Sequence, residues 1–300
     1  MRTHASLLTS VVLWAAAFPA IRAGLRGYDF GHLVLLRFLT ASIVALGVWL
    51  VRGRPLPRRA DLAVIVAVGL LSMTIYPAAL SFGEQSVPAG TASILVNLSP
   101  IFTAILASFF LGERLSAVGW VGIGVAFAGA VMISGGGARF ELTAGVLAVL
   151  FSALVQGAYF VAAKPLLRRY DGMALTILLL WFGTAADLVF ARGFVRAVAR
   201  APLEATLAVV FLGVFSSVVG FMTWFYGLAR LSAPHAVAFL YLVPPVSIFI
   251  AWIWLGERPT AITILGGMVA TIGVAIVKSG DAIAAALTPA RSSPASPPRG

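Results

Sequence analysis

The chain has 300 residues, of which 61% are hydrophobic and 10% are charged, and its formal net charge is +11. Soluble proteins average roughly 45–50% apolar and about 25% charged residues. The composition therefore excludes an ordinary soluble enzyme, a disordered protein and a nucleic-acid-binding domain, and indicates a protein whose solvent is mostly lipid. Cysteine is absent, which excludes thiolate metal sites, disulfides and cysteine nucleophiles.

Apolar runs of about 20 residues follow one another along the chain, each long enough to cross a hydrocarbon core about 30 Å thick. In chain order, the ten expected spans are 5–25, 32–51, 61–83, 88–111, 116–135, 143–165, 173–191, 204–229, 233–255 and 260–279. The gaps between them are too short for a soluble domain. The segment 281–300, whose end is rich in Pro and Ser, is expected to be a disordered tail. The sequence predicts an all-α polytopic membrane protein.

The chain also repeats itself. Leu111-Gly-Glu-Arg114 returns as Leu255-Gly-Glu-Arg258, an offset of 144 residues. The same offset relates Pro100 to Pro244, Gly83 to Gly227, Gly122 to Gly266 and Gly129 to Gly273. Each half contains an odd number of spans, so the second half enters the membrane from the opposite side. We expect two inverted five-helix repeats, over 1–139 and 140–280, which is the architecture of secondary transporters that hold substrate between the repeats.

The loop charges predict an orientation. Arg and Lys residues are more numerous on the side that holds the two termini, although the cluster between Arg192 and Arg200 favours the opposite side. Cytoplasmic loops carry the excess of basic residues in membrane proteins. We therefore expect both termini, and the tail 281–300, in the cytoplasm.

Two prolines occupy equivalent places in the predicted repeats. Pro100 and Pro244 lie near the middle of spans four and nine, where a proline donates no backbone hydrogen bond and clashes with the preceding turn. We expect a kink at each, with the carbonyls of Val96 and Leu240 freed toward a cavity. The preferred interpretation is a pair of hinges in cavity-lining helices, and the alternative is a pair of packing kinks.

Polar and aromatic side chains deep in the spans are candidates for lining a substrate cavity, because a polar group inside the bilayer needs a partner. These candidates are Trp14, Tyr76, Asn97, Gln156, Tyr159, Trp181 and Tyr241. Ionisable residues in the spans or at their ends are candidates for binding charge or carrying a coupled proton, and they are Arg37, Glu84, Asp187 and His235. For Arg37, two interpretations remain open, attraction of a carboxylate and snorkelling to the surface.

Spans five and ten carry small residues at four-residue spacing, a pattern that permits close contact between membrane helices. We expect these spans to pack between helices or between protomers, so a homo-oligomer stays an alternative. The sequence contains no His-Glu-x-x-His motif, no Ser-His-Asp order and no nucleotide-hydrolysis motif. We therefore expect no enzyme activity, no metal and no cofactor.

The repeated combination of a proline-centred helix, Leu-Gly-Glu-Arg and a glycine-rich last helix resembles the EamA-type drug/metabolite transporter superfamily. The matching motifs are Asn97-Leu-Ser-Pro-Ile-Phe102 through Arg114, and Leu242-Val-Pro-Pro-Val246 through Arg258. The resemblance covers roughly residues 5–280. It implies a multi-pass carrier of the bacterial inner membrane that exports amino acids, related metabolites or amphipathic compounds, and the YddG-like amino-acid exporters are similar to this chain in size and layout.

We therefore expect a secondary transporter that exports amino acids or related small metabolites by alternating access. Its partners would be a small-molecule substrate and the lipid bilayer, with no nucleic acid. One alternative is an importer of a vitamin-like or carboxylate metabolite. An alternative from a different class is a membrane scaffold or sensor that transports nothing. An intramembrane enzyme would need a reactive pair inside the bundle, and the sequence shows none.

Overall fold

A computed structural model describes residues 2–52, 56–110, 117–134, 143–163, 165–228 and 239–287, and every regular element in these ranges is helical. The first half contains α1 (Arg2–Gly24), α2 (Phe30–Arg52), α3 (Leu62–Gly69), α4 (Tyr76–Gly83), α5 (Ala89–Val96), α6 (Ser99–Phe110) and α7 (Ala117–Ser134). The second half contains α8 (Ala144–Ala163), α9 (Gly172–Asp187), α10 (Phe194–Arg200), α11 (Leu203–Phe211), α12 (Gly220–Leu228), α13 (Val243–Leu255) and α14 (Ala261–Leu287).

By length and composition, six helical stretches of the described residues can cross a membrane: Thr3–Gly24, Phe30–Val51, Arg59–Gly83, Ala144–Arg168, Gly172–Phe190 and Leu203–Trp224. Shorter apolar helices cover Ala89–Thr103, Ala117–Met132, Val243–Leu255 and Ala261–Ile276. These findings support the predicted all-helical polytopic membrane protein. The ten full spans and the inverted repeat stay predictions. The last helix continues to Leu287, which is inside the segment 281–300 that we expected to be disordered.

The outer surface of the bundle is apolar. Ile43, Phe109 and Ile253 each expose more than two thirds of their side chains, whereas Ser152 and Ser217 are fully buried. Such a distribution reverses that of a soluble protein, where large contiguous apolar patches are rare. The apolar faces are therefore suited to lipid, and the polar groups are gathered inside.

Each of the two prolines begins a new helix. The helix α5 ends at Val96, and α6 begins at Ser99, so Pro100 lies in the first turn of α6. In the second half, the 3₁₀ turn Phe239–Leu242 precedes α13, and Pro244 lies in the first turn of α13. Each proline therefore lies just after a short interruption of its apolar stretch, and the kink or hinge at each stays a prediction. The chain breaks between two helices because a first-turn residue needs no backbone donor and favours the φ angle of proline.

The helices α7 and α14 pack tightly against each other through glycines. A Cβ atom at Gly129 would collide with the backbone of Ala270, and one at Gly273 would collide with the backbone of Ala126. Only glycine permits this close approach at the two positions. The predicted packing between helices is therefore confirmed, and it occurs within one chain.

Candidate functional site

Two short π-helical segments lie in the long spans that precede α4 and α12. They cover Leu70–Ile75 and Leu212–Val219. The offset of 144 residues places 70–75 on 214–219, so the two segments occupy equivalent positions along the chain. π-Helical turns are rare and occur frequently at functional sites. The second segment contributes Ser217 to the polar centre of the bundle, and the first is followed directly by Tyr76.

Arg37 places a guanidinium group inside the bundle, on α2. The residue is only 8% exposed, and its Nε donates a hydrogen bond of 3.0 Å to the Oγ of Ser217 in the second π-helical segment. The guanidinium also lies 5.0 Å from the centre of the Phe38 ring. The snorkelling interpretation is therefore wrong. An arginine held inside a membrane bundle is rare, energetically expensive and, as a rule, functional.

Three of the predicted cavity residues meet beside Arg37. The rings of Tyr76 on α4 and Tyr159 on α8 lie 6.1 Å apart, at 68° to each other. Gln156 lies next to the hydroxyl groups of both tyrosines, and both tyrosines are electrostatic neighbours of Arg37. The result is a group of hydrogen-bonding side chains from two spans beside the cation of a third span.

Trp14 forms an aromatic wall next to this group. Its indole Nε1 on α1 donates a hydrogen bond of 3.1 Å to the carbonyl of Ser216. The ring centre lies 5.2 Å from that of Phe221 and 5.2 Å from that of Trp224, both on α12. Because Ser216 and Ser217 are consecutive, Trp14 and Arg37 approach the same π-helical segment. We call Trp14, Arg37, Tyr76, Gln156, Tyr159 and Ser217 the central cluster.

Other predicted cavity residues lie elsewhere or outside the described residues. Asn97 follows the last turn of α5, where its backbone N–H contacts the carbonyls of Ser93 and Ile94. Trp181 packs against Trp49 of α2, with ring centres 5.8 Å apart. His235 and the side chains of Tyr241 and Pro100 lie outside the described part of the structure.

The serines of the site gave no signal in the sequence. Ser216 and Ser217 are both buried, but serine is common in membrane helices and nothing in one sequence distinguishes these two. The hydroxyl of Ser217 accepts from Arg37, whereas the hydroxyl of Ser216 has no partner among the described residues. Only the structure shows which serine holds the cation.

Within the described part of the chain, two buried carboxylates lie near Arg37. Asp187 ends α9 and Glu84 follows α4, and both residues are 0% exposed. None of their carboxylate oxygens has a hydrogen-bond partner among the residues that the structure describes. Glu84 lies just beyond the end of its span, and burial raises the pKa of its carboxyl group well above its usual range. Both carboxylates are electrostatic neighbours of Arg37.

An ion pair joins the two halves of the chain at one end of the bundle. Arg22 at the end of α1 binds Glu257, with 3.1 Å from Nε to Oε1. The same guanidinium donates to the carbonyls of Glu84 and Gln85, at 2.5 and 3.1 Å. The second oxygen of Glu257 accepts a 2.9 Å hydrogen bond from the backbone N–H of Ala89, the first residue of α5. We call this the Glu257 end.

A cavity of about 520 Å³ opens at the Glu257 end, lined by Arg22, Leu25, Arg26, Gln85, Leu255 and Glu257. The opposite end is held by a different contact, in which Arg169 binds the carboxylate of Asp61. Tyr170 donates to that same carboxylate at 2.8 Å. The two ends of the bundle are thus fastened by separate polar clusters, with the central cluster between them.

Comparison with known proteins identifies the family. The EamA-like transporter family matches residues 1–135 and 143–279. A protein of Streptantibioticus cattleyicolor named "Probable terminal-alkyne amino-acid exporter" is 42% identical over 275 residues, 91% of this chain and 92% of that protein. The "Uncharacterized transporter YdfC" of Bacillus subtilis is 35% identical over 263 residues, 87% of this chain and 86% of that protein.

More distant similarities agree with this assignment. The "Uncharacterized inner membrane transporter YedA" of Escherichia coli (strain K12) is 26% identical over 276 residues, 92% of this chain and 90% of that protein. A crystal structure with 21% sequence identity superposes with a TM-score of 0.60 over 95% of this chain and 96% of that chain, so the fold is shared. The chain belongs to the EamA-like transporter family and is a multi-pass membrane transporter, not an enzyme.

Proposed function

We propose that the chain is a secondary transporter that exports amino acids or related small metabolites across the bacterial inner membrane by alternating access. The observation that carries the proposal is the buried cation Arg37, held by Ser217 at the centre of a bundle whose relatives are transporters. The 42% identical relative is named an amino-acid exporter, which supports a substrate with a carboxylate.

The central cluster offers the contacts that such a substrate needs. A guanidinium binds a carboxylate through two parallel hydrogen bonds, so Arg37 is assigned to the substrate carboxylate. Gln156 and the tyrosine hydroxyls of Tyr76 and Tyr159 supply further hydrogen-bonding groups. Trp14, with the rings of Phe221 and Trp224 behind it, supplies an apolar surface for the remainder of the substrate.

Alternating access requires two similar halves that move against each other, and three features support this arrangement. The sequence motifs recur at an offset of 144 residues, and the π-helical segments lie at equivalent positions. The contacts of Gly129 with α14 and of Gly273 with α7 are reciprocal, as a pseudo-two-fold axis between the two helices demands. We propose that the helix breaks at Pro100 and Pro244 are the hinges.

We propose the orientation that the loop charges favour, with both termini in the cytoplasm and the Glu257 end outside. The ion pair of Arg22 with Glu257 is then the closed outer gate, because it ties α1 to the segment after α13. Labelling tests this orientation in a chain that lacks cysteine. A cysteine at Arg258 should react with an impermeant maleimide from outside intact cells, and one at Arg59 should react only after lysis. Labelling of both from the same side would contradict the orientation.

Export is tested by loading cells with a dipeptide. Cells that express the protein and hydrolyse a norleucine-containing dipeptide should release norleucine faster than cells carrying the empty vector. The matched variant is Arg37→Gln, which should reduce release at least about tenfold because it removes a charge-assisted hydrogen bond at the site. Faster entry of external norleucine without faster release would support an importer. No effect in either direction would support a scaffold or sensor.

A further inference from the structure

We infer that the central site binds both charged ends of a zwitterion, with Arg37 holding a carboxylate and Asp187 holding an ammonium group. This inference rests on the proposed function and adds the recognition of the amino group. The two residues come from α2 and α9, which are the second helices of the two predicted repeats and which pack against each other.

Contacts between α2 and α9 bring the two charged residues to the same level. The hydroxyl of Thr184 donates a 3.1 Å hydrogen bond to the carbonyl of Phe38, the residue after Arg37. The same hydroxyl lies 2.7 Å from the Oγ of Ser42. Asp187 follows Thr184 by three residues on α9, so both project from the same side of that helix. The register therefore sets Asp187 beside the turn of α2 that carries Arg37.

The two opposite charges lie near each other and do not form an ion pair. Arg37 and Asp187 are electrostatic neighbours, yet no nitrogen–oxygen distance between these two described residues falls within 4.0 Å. Within the described residues, Arg37 donates a side-chain hydrogen bond only through Nε, and both oxygens of Asp187 lack partners. A buried charge without a partner is strongly unfavourable. A molecule that carries one charge of each sign satisfies both groups at once.

Thr74, in the first π-helical segment, is the polar neighbour of the Asp187 carboxylate, and its hydroxyl is close enough to influence that group without forming a hydrogen bond to either oxygen. The hydroxyl proton is donated to the carbonyl of Gly183, at 3.2 Å. A single hydroxyl leaves most of the acceptor capacity of a carboxylate unused, so Asp187 can accept from an ammonium group, which donates three hydrogen bonds.

The second buried carboxylate, Glu84, is assigned a different partner. The strongest cationic influence on Glu84 is Arg22, and Arg22 also binds the backbone carbonyl of Glu84. For Asp187, the influential cation among the described residues is Arg37. Glu84 also acts on Arg37, and more strongly than Asp187 does. Because its backbone is bound by Arg22, we assign Glu84 to the Glu257 end and Asp187 to the site. The aromatic surface of Trp14 and its neighbours then suits an apolar, uncharged side chain of the substrate.

Binding of three matched compounds to the detergent-purified full chain tests the inference. L-Norleucine carries both charges, L-norleucinamide lacks the carboxylate and N-acetyl-L-norleucine lacks the ammonium group. By titration calorimetry, the wild-type protein should bind norleucine at least about tenfold more tightly than either derivative, since each derivative loses a charge-assisted hydrogen bond. Equal binding of norleucine and its N-acetyl derivative would overturn the inference without any variant.

Two substitutions test which residue binds the carboxylate of the substrate and which binds its ammonium group. Asp187→Asn should abolish the preference for norleucine over N-acetyl-norleucine, and Arg37→Gln should abolish the preference for norleucine over norleucinamide. A general folding defect would weaken the binding of all three compounds and would not remove one preference while the other is kept. Glu204→Gln and Arg196→Gln remove exposed charges and serve as matched controls, which should retain both preferences. Asp187→Glu keeps the charge and should retain part of the preference if Asp187→Asn fails to fold.

The outcomes separate the two proposals. An Asp187→Asn protein that still prefers norleucine over its N-acetyl derivative overturns the ammonium assignment, while amino-acid export stands. The ammonium assignment is also overturned if Glu84→Gln loses the preference for norleucine over its N-acetyl derivative while Asp187→Asn keeps it. A wild-type protein that binds none of the three compounds and releases no norleucine from cells contradicts the proposed function itself.

Discussion

Arg37 is held in place by one hydroxyl group, and this contact is open to a paired test. Ser217→Ala removes the acceptor of the 3.0 Å hydrogen bond and leaves the buried Nε unsatisfied. We expect the free energy of unfolding to fall by about 1–3 kcal/mol, and transport to slow several-fold because the guanidinium loses its position. Thermal unfolding in detergent and the cell-based release of norleucine measure the two effects.

Ser216→Ala is the matched control for this experiment. The hydroxyl of Ser216 is buried and unpartnered among the described residues, and Trp14 binds the backbone carbonyl, which alanine retains. Stability and transport should both stay close to those of the wild-type protein. An equal loss of stability and transport in Ser216→Ala and Ser217→Ala would show that the segment tolerates alanine at neither position. The hydrogen bond from Arg37 to Ser217 would then not be the cause of the loss.

At this scale, residue type and depth predicted part of the central cluster. Arg37, Tyr76 and Tyr159 stood out because charged and polar groups are expensive in lipid. Depth does not fix the face of a helix, however, and the sequence does not show that the ring of Trp181 packs against Trp49. Which carboxylates approach Arg37 depends on helix packing, which one sequence does not show.

Among the elements, the pair of α7 and α14 gives a direct test of close packing. Gly129→Ala places a methyl group against the backbone of Ala270, whereas the Cβ position of Gly124 on the same helix faces open space. We expect Gly129→Ala to reduce the free energy of unfolding by about 1–3 kcal/mol through overpacking. Gly124→Ala should leave it unchanged or raise it by up to about 1 kcal/mol, since alanine favours helix.

Apparent melting temperatures of the two variants in the same detergent measure this difference. Equal melting temperatures for Gly129→Ala and Gly124→Ala would mean that α7 and α14 separate easily. Spacing alone predicted that these helices pack closely, because small residues at four-residue intervals leave room for a neighbouring backbone. The prolines were harder to interpret, since a proline in a long apolar run is compatible with a kink or a break, and the structure shows the break.

For the whole molecule, the ion pair at the Glu257 end predicts which side of the protein opens when that ion pair is removed. Glu257→Gln removes the charge that pairs with Arg22 and weakens the bond to the first turn of α5. We expect this end to open more often. A reporter cysteine at Ser81, which is fully buried in α4, should then react several-fold faster with a maleimide.

The control for the outer gate is Arg258→Gln, which removes a neighbouring exposed charge that has no part in the contact. It should leave the labelling rate of the cysteine at position 81 unchanged. Unchanged labelling in Glu257→Gln would show that apolar packing of α1 against α13, and not the ion pair, holds this end closed.

The central claim is that the protein moves a small zwitterion by alternating access, and counterflow in proteoliposomes tests it most directly. Labelled L-norleucine is added outside vesicles that contain either unlabelled norleucine or buffer alone. A carrier that returns more quickly when loaded accumulates label transiently, so we predict faster uptake into the preloaded vesicles than into the buffer-filled ones, with this stimulation lost in Arg37→Gln. Uptake equal to that of protein-free vesicles, or uptake indifferent to internal norleucine, would contradict the account.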